Sequence, residues 1–264
     1  MDRQIYHEIY DSMYDFKDVF RLSEQYSEPV GMLATILSQK IVKITRIRYR
    51  KVYSREKELF FKWRKGRTIL ELAEYVHFPP TLMASLIMKN LGYPKKTVNW
   101  FFKNPDSIEN PRLRKEIKRA LNVDYFFSPK AHKMQCKKGK MGEAIIQKWL
   151  NKKEIPYCTE DEIRNLNEER KTPDFLLKIP MCIEDFKIRW IESKALFGDE
   201  FEHRQYSKKQ FQEYSQIFGE GLVVYWYGCL DKLPATDYLV KDYSFFEECE
   251  EEIKKLFDYV VYWE

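Results

Sequence analysis

The chain has 264 residues, 44% of them hydrophobic and 33% charged, a balance that supports one large or two modest folded domains and excludes disorder over most of the length. Its net charge of +5 is unevenly spread: residues 1–140 carry 29 Lys and Arg against 15 Asp and Glu, a net +14, whereas residues 141–264 carry 17 against 26, a net −9. The first half is therefore expected to meet a polyanion, although lysines that merely solvate helix faces produce the same excess. Five cysteines, odd in number and never in CxxC spacing, argue against a disulfide framework or a zinc ribbon, and buried free thiols in a reducing compartment are the default. No window approaches the ~18 uncharged apolar residues of a spanning helix. The start, MDRQIYHEIYD, lacks the basic-then-apolar form of a signal segment. An unexported protein without a membrane partner is expected, cytoplasmic or, in a eukaryote, nuclear.

Apolar positions recur at three and four over the first ~125 residues, which predicts a helical region. Two stretches share one pattern of short helix, proline-marked turn and second helix. In the first, Val19, Phe20 and Leu22 precede Ser27-Glu28-Pro29, and Met32, Leu33, Ile36, Leu37 and Ile41 follow. In the second, Ile69, Leu70, Leu72, Ala73 and Val76 precede His77-Phe78-Pro79-Pro80, and Leu82, Met83, Leu86 and Ile87 follow. Both read as helix-turn-helix units, whose second helix would enter a DNA major groove. The expected contacts are Thr81, Ser85 and Lys89 on the second unit, one stripe at i, i+4 and i+8. On the first, Lys40, Lys43, Arg46 and Arg50 form a basic ridge able to track phosphates. Such tri-helical units also serve as protein-docking modules.

Residues 128–140, SPKAHKMQCKKGK, have no apolar period and carry five lysines. They predict a basic linker between a helical region at 1–127 and a second domain at 141–264, with Lys137, Lys138 and Lys140 available to nucleic acid. From Gly139 the pattern becomes mixed. GKMGEAIIQKWLNKK reads as a helix, IPYC (155–158) as a short strand, and DFLLKI (174–179) and FKIRWIESK (186–194) as two strands joined by a short connector. A polar helix from about Tyr206 to Phe218 stops at Gly219, and LVVYWYG (222–228) suits a buried strand. The order α-β-β-β-α-β is legible, followed by an acidic helix near 245–257 and a strand-like VVYW (260–263). The fold class is α+β.

Asp174 opens one strand, and Glu192 and Lys194 close the next. If Lys178 pairs with Ile188, Asp174 stands opposite Glu192 with Cβ atoms ~4.5–5.5 Å apart. Period-two alternation puts Glu192 and Lys194 on one face, with Ser193 turned away. Opposed carboxylates repel unless a cation lies between them, which suits Mg²⁺ or Mn²⁺ held by Asp174, Glu192 and the Ser193 carbonyl, with waters completing the shell. A lone D…ExK is commonly a surface ion pair. Here it ends a run containing Ile188, Trp190 and Ile191, where unpaired charge is costly outside a cleft. Glu143, on the preceding helix, is a further candidate for the site.

The segments Thr172-Pro173-Asp174-Phe175, Trp190-Ile191-Glu192-Ser193-Lys194-Ala195, Phe197-Gly198-Asp199-Glu200 and Gly221–Gly228, with FPPTLMASLIM in the helical half, resemble the TPD-domain proteins of archaea and eukaryotes over nearly the whole chain. The resemblance implies a restriction-endonuclease-like PD-(D/E)xK domain, akin to Holliday-junction resolvases, behind amino-terminal helix-turn-helix units. It implies Asp174, Glu192 and Lys194 as the motif triad, Glu143 as the acidic residue of the preceding helix, and Gln210 as a contact to substrate or attacking water. Asp199, Glu200 and His203 follow the triad without an assigned role. The expected activity is metal-dependent endonucleolytic cleavage of DNA, branched or duplex, by a chain that resolvase-like chemistry would favour as a homodimer. A protein partner is expected by analogy with the eukaryotic members. Two alternatives stay open: a binding or scaffold protein that keeps the fold with little turnover, and a sequence-specific regulator.

Overall fold

The computed structural model describes residues 1–166 and 171–259; the strand-like 260–263 lies outside them. By internal contacts the chain divides into two compact units, one of Met1–Leu37 with Lys137–Glu264 and one of Ser38–Cys136. The first ~37 residues thus group with the carboxy-terminal half rather than with the helices that follow them.

Among the described residues, nine α-helices precede the sheet: α1 (Arg3–Ser12), α2 (Phe16–Tyr26), α3 (Val30–Tyr53), α4 (Glu56–Arg64), α5 (Ile69–Tyr75), α6 (Pro80–Asn90), α7 (Lys95–Lys103), α8 (Pro111–Val123) and α9 (Pro129–Lys152). Their ends follow local chemistry. Asp15 with Asp18, and Thr68 with Glu71, form capping boxes at α2 and α5. Pro80 and Pro111 occupy first-turn positions where a missing N–H costs nothing. Helices stand where both pairs were expected, α2 and α3 and α5 and α6, and the turn within each holds a left-handed residue, Ser27 (φ 55°) and His77 (φ 48°). The division between the units, at Cys136 and Lys137, falls inside the predicted linker, but the segment is helical rather than a linker: Ser128 Oγ accepts from the Ala131 N–H (3.2 Å), and α9 runs unbroken through 129–152. Capping by Ser128 and the absence of any glycine before Gly139 favour helix there, and lysines tolerate it well.

In the Ser38–Cys136 unit, α6 is the core helix. Leu59, Trp63, Leu72, Met83, Leu86, Ile87, Leu113 and Ile117 gather into one buried cluster. Two buried carboxylates tie the unit together. Glu116 accepts from Trp63 Nε1 (2.9 Å) and the Ile69 N–H (3.0 Å) and pairs with Arg112 (2.8 Å). Asp124 accepts from the backbone N–H groups of Thr81, Phe126 and Phe127 at 2.9–3.0 Å.

The other unit is built on a five-stranded mixed sheet, order β1-β2-β3-β4-β5: β1 (Tyr157–Thr159), β2 (Phe175–Ile183), β3 (Phe186–Lys194), β4 (Gly221–Tyr225) and β5 (Tyr238–Asp242). The pairs β1–β2 and β2–β3 are antiparallel; β3–β4 and β4–β5 are parallel. Helix α10 (Glu160–Leu166) follows β1. The crossover from β3 to β4 contains α11 (Glu200–Tyr206), a π-turn at 207–211 and α12 (Gln212–Phe218), and α13 (Glu250–Asp258) comes last. Relative to the expected α-β-β-β-α-β order, α10 and β5 are additional, and the crossover helix starts six residues earlier because Asp199 caps it, accepting from the Glu202 N–H (2.8 Å). All five residues of β4 are buried. A Cβ at Gly221 would lie 1.9 Å from the buried Trp190 ring, so this strand reaches β3 only with glycine there. All five cysteines are free as expected, yet only Cys249 is buried, and Cys136 and Cys182 are exposed. Among the described residues no helix is long and apolar enough to cross a membrane.

Candidate active site

The hairpin register places the triad. Phe175 pairs with Ile191 and Leu176 with Trp190, so Asp174, one residue before β2, falls opposite Glu192 as expected. The register used to reach that expectation holds only at this end. Ile188 pairs with Met181, not Lys178, because an irregularity of three extra residues lies between Leu176 and Met181. Pro180, which has no N–H to give a ladder, sits inside it.

Backbone and side chains interlock at the site end. Asp174 Oδ2 accepts from the Ser193 N–H (2.7 Å), and Glu192 Oε2 accepts from the Asp174 N–H (3.3 Å). Lys194 Nζ donates to Glu192 Oε1 and lies 4.6 Å from the Tyr206 ring centroid and 5.8 Å from that of Phe211. Glu192 is 3% exposed. Burial, and then the Glu192 charge, push the Asp174 pKa well above the usual carboxylate range, against the Ser193 N–H and Lys194. Burial also raises Glu192, with Lys194 opposing. The Lys194 ammonium therefore offsets two buried carboxylates only in part. The site stands at the carboxy-terminal end of β3, where the sheet changes from antiparallel to parallel pairing, the kind of edge at which open sheets bind ligands.

Helix α9 supplies the other wall. A cleft of about 210 Å³ is lined by Lys140, Glu143 and Gln147 from α9, Thr159, Glu160 and Asp161, and Asp174 and Phe175. Glu192 and Lys194 are not part of that lining. Partial burial, and next the Glu160 charge, raise the pKa of Glu143, while Lys140 and Lys194 pull it down. The approach of α9 depends on Gly142: a Cβ there would meet Trp226 Nε1 at 2.3 Å and Ser193 Oγ at 3.0 Å. The same Trp226 indole donates to Ser193 Oγ at 2.8 Å. Nothing in composition or spacing marked Gly142 or Trp226; their role emerges only when helix and sheet meet. Among the described residues no three Asp, Glu, His or Cys side chains converge at ligand spacing, so the acidic donors that meet are two, Asp174 and Glu192.

Gln210 lies in the π-turn at 207–211, on the segment whose Tyr206 and Phe211 rings flank Lys194, and its Oε1 is buried with no hydrogen-bond partner. π-turns of this kind recur at functional sites. None of the three unassigned residues lines the cleft. Asp199 accepts from Tyr6 Oη (3.0 Å), and Glu200 pairs with Arg3. His203 is wholly buried against Tyr225 Oη (3.0 Å), Tyr238 Oη (3.1 Å) and the Pro234 carbonyl (3.0 Å), and burial lowers its pKa.

The residues expected at a nucleic-acid surface separate. Arg46 and Arg50 are exposed, Lys43 is half-buried and Lys40 is 9% exposed, so the ridge on α3 is narrower than its spacing implied. The stripe on α6 reaches the surface only at Lys89. Thr81 is buried with its N–H on Asp124, Ser85 is half-buried and Lys89 is paired with Glu56 (2.8 Å), because α6 is enclosed by its neighbours on nearly all sides. Lys137 is exposed over the Tyr259 ring (4.2 Å). Lys138 packs over Tyr227 (4.7 Å), where burial lowers its pKa to about 8, and Lys140 lines the cleft.

Comparison with known proteins places this geometry in a family. Residues 109–244 match the family described as "Protein of unknown function TPD sequence-motif". Relatives include "CDAN1-interacting nuclease 1" of Xenopus laevis, 32% identical over 81% of this chain and 76% of that protein, and those of Mus musculus and Homo sapiens, 35% and 34% identical over 62% of this chain. The matched part spans 61% of the mouse and human relatives' own length. No solved structure matches the chain. With Asp174 inside the matched segment and the relationship extending over four-fifths of the sequence, the chain belongs to the TPD sequence-motif family.

Proposed function

We propose that the chain is a metal-dependent nuclease of the PD-(D/E)xK type that hydrolyses phosphodiester bonds in DNA. The observation that carries this reading is the meeting of Asp174 and Glu192 at the end of β3, buried, with raised pKa values and the Lys194 ammonium beside them. That donor set fits Mg²⁺ or Mn²⁺: hard oxygen ligands with excess negative charge, completed by the Ser193 carbonyl, water and, across the cleft, Glu143. A divalent ion held there would polarise the scissile phosphate and acidify a bound water. Lys194, held between Glu192 and the Tyr206 ring, offsets charge on the pentavalent phosphorus. Gln210 Oε1 is a free acceptor for the attacking water or the substrate.

The basic Ser38–Cys136 unit supports DNA as the substrate. What the likeness to TPD-domain proteins implies extends the proposal to a restriction-endonuclease-like topology akin to that of resolvases, branched or duplex substrates and a two-fold pair of chains. The relatives' shared name, with its reference to CDAN1, supports a protein partner as well. Labelled junction, flap, single-stranded and duplex oligonucleotides with Mg²⁺, Mn²⁺ or EDTA test the activity. Cutting is expected only with metal, and Asp174→Asn and Glu192→Gln should abolish it without loss of helix signal; undiminished cleavage by both variants would refute the proposal. The second reading, binding without turnover, draws on the direct Lys194–Glu192 pair, which occupies one carboxylate oxygen. It predicts salt-sensitive binding and no metal-dependent hydrolysis of any of the four substrates.

A further inference from the structure

We propose that the exposed face of α7 is a docking surface for unpaired nucleotides, with Trp100 stacking on a base and Lys96 and Lys103 holding the flanking phosphates. This deepens the nuclease reading, on which it rests, by naming a substrate class, a strand with unstacked bases. Lys96, Asn99, Trp100 and Lys103 recur at i, i+3, i+4 and i+7, one helical stripe. All four are exposed, and Trp100 keeps 52% of its surface in solvent. The opposite side, Val98 with Phe101 and Phe102, packs into the helical core, so Trp100 is not needed to seal it. Exposure by itself decides nothing, since single exposed apolar side chains are ordinary; it is the stripe of lysines around this ring that marks the face.

Charge decides what kind of contact. The Ser38–Cys136 unit carries 23 Lys and Arg against 8 Asp and Glu, a net +15 that exceeds the charge of the whole chain. Helix α7 contains three lysines and no acid, and two of them, Lys95 and Lys96, stand in its first turn, where the helix dipole already presents positive charge. Among the described residues none of Lys95, Lys96 and Lys103 makes an ion pair, whereas Lys62, Lys89 and Lys118 in the same unit all do. A polyanion is the complementary partner.

The ring decides which polyanion. Two other exposed aromatics of this unit have cations over their faces, Phe61 under Lys65 (4.6 Å) and Tyr75 under Lys62 (4.3 Å). Among the described residues, the ring beside Trp100 is that of its neighbour Phe101, tilted, with centroids 5.4 Å apart. An open indole face flanked by lysines matches a nucleobase next to phosphates, and bases offer their faces only where the strand is unpaired. In a duplex the stack hides them.

The test uses the full chain in EDTA, so that nothing is cut, with fluorescein-labelled oligo-dT and a blunt duplex of equal length. Trp100→Ala is expected to weaken oligo-dT binding about tenfold, the scale of one lost base–aromatic stack, and to leave duplex binding within about twofold. Trp100→Phe should retain most of the affinity, and the difference in tryptophan emission between wild type and that variant should be quenched by oligo-dT. Lys96→Glu with Lys103→Glu should weaken oligo-dT binding further. Unchanged oligo-dT affinity in Trp100→Ala, or equal loss on both probes, overturns the proposal, as does an effect confined to capture of a protein partner. Because this assay reads binding without metal and the nuclease reading is tested by metal-dependent cleavage, failure here is distinguishable from failure of the nuclease reading.

Discussion

The Lys194–Glu192 pair is the most consequential contact at the scale of single residues, because both side chains are nearly buried, 11% and 4% exposed. Removing one partner of such a pair strands the other, at ~3–5 kcal/mol, whereas removing both costs far less. Lys194→Met is therefore expected to lower stability by about that amount, and Lys194→Met with Glu192→Gln to recover much of it, as a denaturant double-mutant cycle would show; additive losses would contradict the pairing. Asp174 behaves in the opposite sense. Its folded pKa lies above the unfolded value, so the folded state keeps its proton longer, and stability is lost as pH climbs from the ordinary carboxylate range through the raised pKa. In EDTA, Asp174→Asn should flatten that decline and raise Tm near neutral pH, measured by calorimetry across pH; a lower Tm at every pH would show that the hydrogen bond from the Ser193 N–H outweighs the cost of burying the charge. Strand alternation made Glu192 and Lys194 legible in the sequence as neighbours on one face. Asp174, however, comes opposite Glu192 only through the irregularity between Leu176 and Met181, since the register next to the connector would set it three residues further on. His203 was not legible, because nothing in its spacing distinguishes a cleft from a core packed with Tyr225 and Tyr238.

At the scale of elements, the site exists because α9 lies close against the end of the sheet. Gly142→Ala would place a methyl carbon inside the Trp226 indole and near Ser193, and overpacking of this kind costs ~1–3 kcal/mol. The strain falls on the contact that sets Glu143 across from Asp174, so the variant is expected to lose more activity than its stability change explains. Trp226→Phe in the same chain should restore part of both, measured by melting and by cleavage of the best substrate; if Gly142→Ala is as active and stable as wild type, α9 is not fixed by this contact. Sequence patterns reached β2, β3, β4 and α12 because each carries its own period or a β-branched run. They missed β5, whose YLVKD is short and half-buried, and the irregularity around Pro180, which depends on how β2 pairs with two neighbours at once. They misjudged α6 for a related reason. A stripe of Thr81, Ser85 and Lys89 reads as solvent-facing by spacing alone, yet Thr81 is buried with its N–H on Asp124 and only Lys89, paired with Glu56, stays exposed.

Across the whole molecule, charge is divided between units: net +15 in Ser38–Cys136, and 23 Lys and Arg against 33 Asp and Glu, net −10, in the remainder. The half-and-half division visible in the sequence comes close to this, because moving residues 1–37, net −4, and 137–140, net +3, to the acidic unit nearly cancels. Binding driven by the basic unit must displace counterions, so log K should fall linearly with log salt, by ~0.9 per duplex phosphate engaged. Arg46 and Arg50, exposed and one turn apart on α3, are the part of the expected ridge still available for such contacts. Arg46→Glu with Arg50→Glu is therefore expected to reduce the magnitude of the slope on a metal-free duplex by about two, measured by anisotropy over a salt series. Glu192→Gln, which removes a carboxylate and frees Lys194 at the acidic unit's site, should leave the slope where it was if that site holds no phosphate in the metal-free complex. A slope insensitive to the arginine pair would remove α3 from the nucleic-acid surface, and a slope that moved with Glu192 instead would place the phosphate contacts at the carboxylate site.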